Sequence, residues 1–318
     1  MASGDPTARA AARPSLTSPI ELGADVSIAT AAYGNAKVTA VCLEAILSAA
    51  TGSYELILVD DCSPDKGEIR ALFTAAKSRH ANTKIFGFQQ NLEYSGSVNA
   101  VLSHAAGQWI FFISNDVFVT PSYLHAVLNV AQSQAQLGIL RGTSNFVDNG
   151  LASHNVQPQR SIASLPELNE FGAQRLTTEG YAWQPDPFLV GDAFLVTRAV
   201  VDRIGSFDPR FFGYFADLDY GVRTTIAGFQ LALVPGAFAF HQRDANFAWL
   251  PEELRQQKLN RRWARVYENW ARFKLKYDLP VSLEFPPVKD IPWEQLAKRS
   301  FDAQRDYSAP GDYSRFLL

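Results

Sequence analysis

Between residues 25 and 131, short apolar runs alternate with segments of helical period, and this alternation constrains the fold more than any other feature. The runs DVSIATA (25–31), ELILVDD (55–61), KIFGF (84–88) and WIFFI (109–113) are rich in β-branched and aromatic residues. Their near-continuous hydrophobicity predicts strands covered on both faces. Between them, Val38, Val41, Cys42, Ala45, Ile46 and Ala49 share one helical stripe in 36–50. Segments 66–80 and 97–106 carry weaker helical patterns. Thr120 and Pro121 open another helix, followed by Leu124, Val127, Leu128 and Ala131. Such a chain is of the α/β class, a mostly parallel sheet with helices on both sides. Ligands of these sheets bind beyond the carboxyl ends of the strands. Asp60, Asp61 and Asp116 stand at two such ends.

The stretch 142–187 loses periodicity and is read as a long loop, a kind of segment that usually carries function. Regular structure is expected again at FLVGDAFLV (188–196), in helices near 198–204 and 216–227, and in strands 230–234 and 237–241. From Pro251 to Tyr277, Leu259, Trp263, Val266, Trp270, Phe273 and Tyr277 form one apolar seam on a long helix. Through Asp278 this segment holds eight Lys/Arg against four Asp/Glu, in a chain of net charge −3. Two readings fit it: a packed helix with a solvated basic face, or a peripheral contact with an anionic membrane surface.

The overall charge implies no nucleic-acid surface. Cys42 and Cys62 lie in no metal or disulfide pattern, which suits a reducing compartment. No run reaches the roughly 18 apolar residues of a membrane span. Residues 1–24 lack the apolar core of a signal peptide and read as a flexible extension. A cytoplasmic location, with a peripheral place at the inner face of the membrane, is the expectation.

Four segments in register resemble the family 2 glycosyltransferases of the GT-A fold, and in particular the bacterial rhamnosyltransferase-like branch. ELILVDDCSPD (55–65) is similar to the family's V-D-[DN]-x-S-x-D, and NLEYSGSVNA (91–100) to its N-x-G-[FY]-[AS]-G-x-x-N. WIFFISNDVFVTP (109–121) is similar to its strand ending in N-N-D or D-x-D. Segment 188–241 carries likenesses to G-x-x-x-L-x-R, G-x-F-D, F-E-D-x-D-x-x-x-R and a final His. The resemblance implies a Rossmann-like GT-A domain over 25–245, with a nucleotide-binding half to about 120 and an acceptor half after it. Residues 246–318 would be a helical C-terminal extension.

It also implies roles. Ala32, Tyr33, Asp60 and Asp61 would meet the nucleoside, with Asn91, Gly96 and Asn99 shaping the donor pocket. Ser114, Asn115 and Asp116 stand at the acidic motif, where the first carboxylate is replaced by an amide or hydroxyl group. Asp116 and His241 would hold a divalent cation, Mn2+ or Mg2+, with the imidazole modestly favouring Mn2+. Gly191 and Asp192, with the ring of Trp183, would face the acceptor. Asp217 maps onto the catalytic base, although its usual Glu neighbour is Ala216 here. Asp219 lies about 200° from it around the helix and four residues before Arg223, so a surface ion pair is its expected fate.

The expected activity is inverting transfer from a UDP-, dTDP- or GDP-sugar to a hydroxyl of a glycan, lipid-linked or protein acceptor. The alternative is a non-catalytic nucleotide-sugar-binding module, suggested by Asn115 and Ala216. The segment SIATAAYGNAK after the first strand lacks the glycine-rich loops of nucleotidyltransferases and dinucleotide-binding oxidoreductases.

Overall fold

The structure, a computed structural model, describes residues 15–65, 67–147, 151–242 and 250–317. In chain order the elements are β1 (Ile20–Leu22), β2 (Val26–Ala32), α1 (Ala36–Ala49), β3 (Ala50–Gly52), β4 (Glu55–Asp60), α2 (Glu68–Arg79), β5 (Thr83–Gly87) and α3 (Glu93–His104). There follow β6 (Trp109–Ile113), β7 (Val117–Phe118), α4 (Pro121–Ser133), β8 (Leu137–Ser144), α5 (Leu165–Glu179), β9 (Gln184–Pro185) and β10 (Ala193–Thr197). The remainder comprises α6 (Arg198–Ile204), α7 (Ala216–Ile226), β11 (Gln230–His241), the long α8 (Glu252–Lys276), α9 (Trp293–Ala297) and α10 (Ala303–Asp306).

The main sheet runs β5-β4-β2-β6-β10-β8-β11-β7, with β9 added on β11. Strands β5, β4, β2 and β6 are parallel. Strand β10 lies antiparallel between β6 and β8, and β11 returns parallel to β8. The sheet is buried on both sides because its apolar residues alternate between two cores. Leu56 and Leu58 of β4 pack with α1, α2, α4 and α5. Ile57 and Val59 pack with α3, α6, α7 and the C-terminal segment.

Several expected boundaries move. Ile20–Leu22, inside the supposed N-terminal extension, pairs with Ala50–Gly52; residues 1–14 lie outside the described ones. The two strands expected at 230–234 and 237–241 are one, broken by an irregularity between Val234 and Phe238 where Pro235 and Gly236 fall. The stretch 142–187 is not one loop. Helix α5 begins inside it at Ser164, whose side chain accepts from Glu167 N, while Glu167 accepts from Ala163 N. The tetrapeptide SLPE is a capping signature that loss of apolar period concealed.

Helix α8 buries Val266, Asn269, Trp270 and Phe273, but Trp263 is half exposed and Leu259 only partly covered. The seam is therefore real from Val266 onward. The tail beyond it returns to the sheet: Gln89 N donates to Phe316 O at 2.7 Å, and Ser206 N to Ser308 O at 2.9 Å.

Asp219 is not on the surface. It and Arg223 are fully buried, paired at 2.7 Å. Tyr277 Oη donates to its other oxygen at 2.8 Å, and Lys276 Nζ bridges it to Asp208. Four residues apart on one helix was the right spacing. What the sequence did not show was that α8 covers that face of α7. Removing one member of a buried ionic cluster strands the others, which costs about 3–5 kcal/mol. Asp219→Ala is therefore expected to lower unfolding free energy by about that amount in urea denaturation. A loss under about 1 kcal/mol would mean that the cluster is solvated like a surface pair.

Candidate active site

Register explains why distant acidic residues meet. Ala193 of β10 stands opposite Ile113, the last residue of β6. Because β10 runs antiparallel, its beginning lies at the same sheet edge as the ends of β2, β4, β6 and β11. Asp60, Asp61, Asp116, Gly191, Asp192 and His241 all fall along that edge. Four non-glycine residues there have left-handed backbone: Asn35 (φ 57°), Cys62 (φ 60°), Glu93 (φ 54°) and Phe215 (φ 69°). Such conformations persist where surroundings enforce them, often at functional sites.

Asp217 enters from the first turn of α7. Its Oδ2 accepts from Gly191 N at 3.0 Å and its Oδ1 from Leu218 N at 2.9 Å. Burial pushes its pKa up to about 6; the two amide donors oppose that rise and the nearby Asp192 carboxylate adds to it. A chain of close contacts joins this carboxyl to the acidic motif. His241 Nδ1 lies 3.8 Å from Asp192, and His241 Nε2 lies 3.6 Å from Asp116. Asp217 is thus linked to Asp116 through Gly191, Asp192 and His241.

His241 Nδ1 is also 3.1 Å from Phe146 O. Burial disfavours the charged ring, but the Asp116 and Asp192 carboxylates and the Phe146 carbonyl outweigh it, lifting the pKa to about 9. Among the described residues no three His, Cys, Asp or Glu side chains form a ready-made cation site. The donor set nevertheless fits a divalent cation bound jointly with phosphates. Asp116 and Nε2 of His241 face each other, and Nδ1 has the carbonyl partner that metal-binding histidines usually have.

At the end of β4, Asp60 accepts from Ser63 N at 2.8 Å and pairs with Arg70 at 3.1 Å. Asp61 accepts from Leu92 N at 2.6 Å, and Asn91 Nδ2 donates to Asp61 O at 3.3 Å. Burial, with Glu93 and Asp60 adding to it against the Leu92 amide, raises Asp61 to about 8. Ala32 O accepts from Asp61 N at 2.9 Å. Tyr33 is partly exposed, with Lys258 of α8 at 5.7 Å from its ring centre. Gly96, inside α3, would carry a Cβ only 2.4 Å from Leu92 Cβ, so its smallness serves local packing.

Other expected site residues are engaged elsewhere. Asn99 is buried and clamps Phe207, donating to its O at 2.9 Å and accepting from its N at 2.7 Å. Asn115 Nδ2 donates to Thr39 Oγ1 of α1 at 2.8 Å, and Ser114 N donates to Asp192 O at 2.8 Å. Asp192 is held by Arg141 at 3.0 Å. Trp183 packs on the α4–α5 core. Its neighbour Gln184 pairs with Leu233, eight residues before His241. That places Trp183 roughly 20–25 Å along the strand from the pocket.

Tyr94 was missed, although it lies in the segment NLEYSGSVNA. Its hydroxyl donates to Gly191 O at 2.9 Å, holding the residue whose own N–H meets Asp217. A Cβ at Gly191 would come within 1.7 Å of that hydroxyl oxygen, so only glycine fits.

A family model described as "Glycosyltransferase like family 2" matches residues 24–265. An N-acetylglucosaminyl-diphospho-decaprenol L-rhamnosyltransferase of Mycobacterium tuberculosis is 28% identical over 204 residues, covering 56% of this chain and 65% of that protein. The chain thus spans just under two thirds of that relative. A minor teichoic acid biosynthesis protein of Bacillus subtilis is 28% identical over 289 residues, covering 86% of this chain and 29% of that protein. A mannosyltransferase from Pyrobaculum calidifontis, solved with GDP-Man and Mn2+, superposes with a TM-score of 0.55 at 15% identity, covering 86% of this chain and 69% of that one. S. aureus TarS 1–349 gives 0.51 at 13%, covering 81% and 76%. These likenesses establish the architecture as GT-A.

Asp217 is expected to titrate near pH 6 in a 13C NMR titration of its carboxyl carbon; a midpoint below about 4.5 would mean that the group is solvated. Because its pKa is raised on folding, this group favours the native state below about pH 4, and the contribution is lost as pH rises through about 6.

Proposed function

The chain belongs to the glycosyltransferase-like family 2, and on that footing we propose that it transfers a sugar from a nucleotide-sugar donor to an acceptor hydroxyl with inversion. What supports this reading is the Asp217 carboxyl, raised to about 6 and linked through Gly191 and Asp192 to the edge where Asp116 and His241 meet. A base with a pKa near neutrality is ionised at pH 7 yet basic enough to take a proton in the transition state.

In this reading the donor lies along the sheet edge. Asp61, Tyr33 and the backbone at Ala32 meet the nucleoside, while Asp60 holds the turn that shapes their site. Asn91 fixes Asp61 through its carbonyl. Asp116 and Nε2 of His241, once that nitrogen has given up its proton, would hold Mn2+ or Mg2+ together with donor phosphate oxygens. When bound, the ion offsets charge developing on the departing diphosphate. Asp192, fixed by Arg141, orients the His241 ring. Tyr94 holds Gly191, and Gly191 holds Asp217, so the base is aimed before the acceptor arrives. Asp217 Oδ2 takes the proton of the acceptor hydroxyl as its oxygen attacks the anomeric carbon opposite the diphosphate. Asn99, Asn115 and Trp183 support the scaffold.

A lipid-linked or polysaccharide acceptor is supported by the names of the Mycobacterium and Bacillus relatives. UDP-, dTDP- and GDP-sugars are the donor candidates. None of the described helices is long and apolar enough to cross a membrane; contact with a membrane surface would be peripheral.

A thermal-shift screen of UDP-, dTDP-, GDP- and CMP-sugars with and without Mn2+ identifies the donor, since a native-state ligand raises Tm. With that donor, Asp217→Asn is expected to lower kcat by about 10²–10⁴-fold with the donor Kd little changed. The wild-type rate should rise with pH to a plateau above about 6. Turnover near wild type in Asp217→Asn would remove this residue from the base role.

A further inference from the structure

Arg265 of α8 belongs to two surroundings. Its Nη1 donates to Glu93 at 3.2 Å on the pocket side. It also lines a cleft of about 450 Å3 with Pro209, Arg210, Phe212, Glu268 and Arg272. Three guanidiniums face one carboxylate there.

Each guanidinium is held in place. Arg210 grips Asp208 through Nε and Nη2, at 2.9 and 2.6 Å. Asp208 is also paired with the buried Lys276 at 2.8 Å; Lys276 is shared with Asp219, which Arg223 also pairs, so in this cluster Arg210, Lys276 and Arg223 meet two carboxylates. Arg265 stacks with its Cζ 4.5 Å from the Phe212 ring centre. Arg272 donates to Asn269 at 2.8 Å and to Glu268 at 2.7 Å. A guanidinium has five N–H donors in a rigid fork, and these contacts leave part of each fork for a second acceptor. Several prefixed forks around one opening suit a tetrahedral dianion such as phosphate, whose oxygens accept paired hydrogen bonds. The rings of Pro209 and Phe212 supply an apolar wall for whatever that phosphate carries.

The cleft adjoins the reacting centre through one loop. Pro209, Arg210 and Phe212 of its wall belong to the loop that leads into α7, where Asp217 sits. Asn269 fixes that loop by donating to Phe212 O and Tyr214 O, at 3.1 and 2.7 Å. A phosphate placed between Arg210 and Arg272 would sit against the loop that leads into α7.

Resting on the transferase reading above, we propose that this cleft binds the phosphate or diphosphate group of the acceptor, which makes the substrate class a phosphate-bearing glycan or glycolipid. The test is calorimetric titration with inorganic pyrophosphate, in a chelator so that cation-dependent binding at the donor pocket does not contribute. The double variant Arg210→Gln, Arg272→Gln is expected to bind at least tenfold more weakly than wild type. Arg210→Lys, Arg272→Lys, which keeps charge and loses the fork, should fall between. Both side chains are substantially exposed, and an unchanged thermal melt verifies folding. Phosphatidylglycerol vesicles that displace pyrophosphate identify a lipid-borne phosphate, and failure to displace it identifies a soluble one; either supports the cleft. Equal pyrophosphate affinity in wild type and the glutamine variant overturns it. Binding is read without turnover, so this result is independent of whether Asp217→Asn abolishes transfer.

Discussion

The buried carboxylate of Asp219 is the interaction on which the arrangement of the pocket depends. It receives Arg223 from its own helix, and Lys276 and Tyr277 from the end of α8. Arg223 in turn donates to the backbone at Ile204, Ser206 and Asp306, drawing α6 and the tail to the same point. A fully buried charge is tolerable only with such company. Neutralised in this way, Asp219 locks the rotation of α7 about its axis. Asp217, two residues earlier, is turned about 200° away, accepts from the Gly191 and Leu218 amides, and is buried beside Asp192. Two aspartates on one helix turn thus acquire different surroundings: one is enclosed by Arg223, Lys276 and Tyr277, and burial raises the pKa of the other.

The sheet supplies the second half of the constraint. An all-parallel order would leave β10 entering from the opposite edge, with Gly191 and Asp192 far from Asp116. The antiparallel insertion of β10 between β6 and β8 brings its first residues beside the end of β6. The same insertion lets β11, parallel to β8, deliver His241 to that edge. The left-handed residues at 35, 62, 93 and 215 are the turns that each crossing of this edge requires. Cys62, Glu93 and Phe215 have no glycine's freedom at positive φ, so the folded surroundings must hold them there.

Where local chemistry decided the outcome, the sequence was sufficient. β6 and α6 lie where apolar period placed them, and Thr120 caps α4 as its position beside Pro121 implied. The acidic residues at strand ends came together because a parallel sheet has one functional edge. What failed did so where tertiary cover decides. Asp219 and Trp263 were assigned by spacing on an isolated helix; neither the burial of the first nor the exposure of the second can be read without knowing where α8 lies. Asn99 and Asn115 sit in motif positions, yet their amides satisfy backbone and hydroxyl groups that only the folded chain presents. Tyr94 was overlooked because its partner, the carbonyl of Gly191, is 97 residues away and carries no side chain to notice.

The eroded acidic motif has a physical reading in this setting. The side chain of Asn115 points into the protein, where its amide donates to the buried hydroxyl of Thr39. A carboxylate there would be taken out of water, with one hydroxyl as its visible donor, at considerable cost. An amide suits the place better, and the single outward carboxylate is Asp116. The negative charge absent from position 115 reappears at Asp192, on the neighbouring strand and on the other side of His241. Two carboxylates thus flank one imidazole, with Arg141 steadying the farther of them. In the proposed mechanism this arrangement keeps the ring oriented for a cation while placing only one carboxylate against the donor. Affinity for the ion would then depend on the donor's own phosphates, coupling metal binding to substrate binding instead of leaving a cation permanently seated in the pocket.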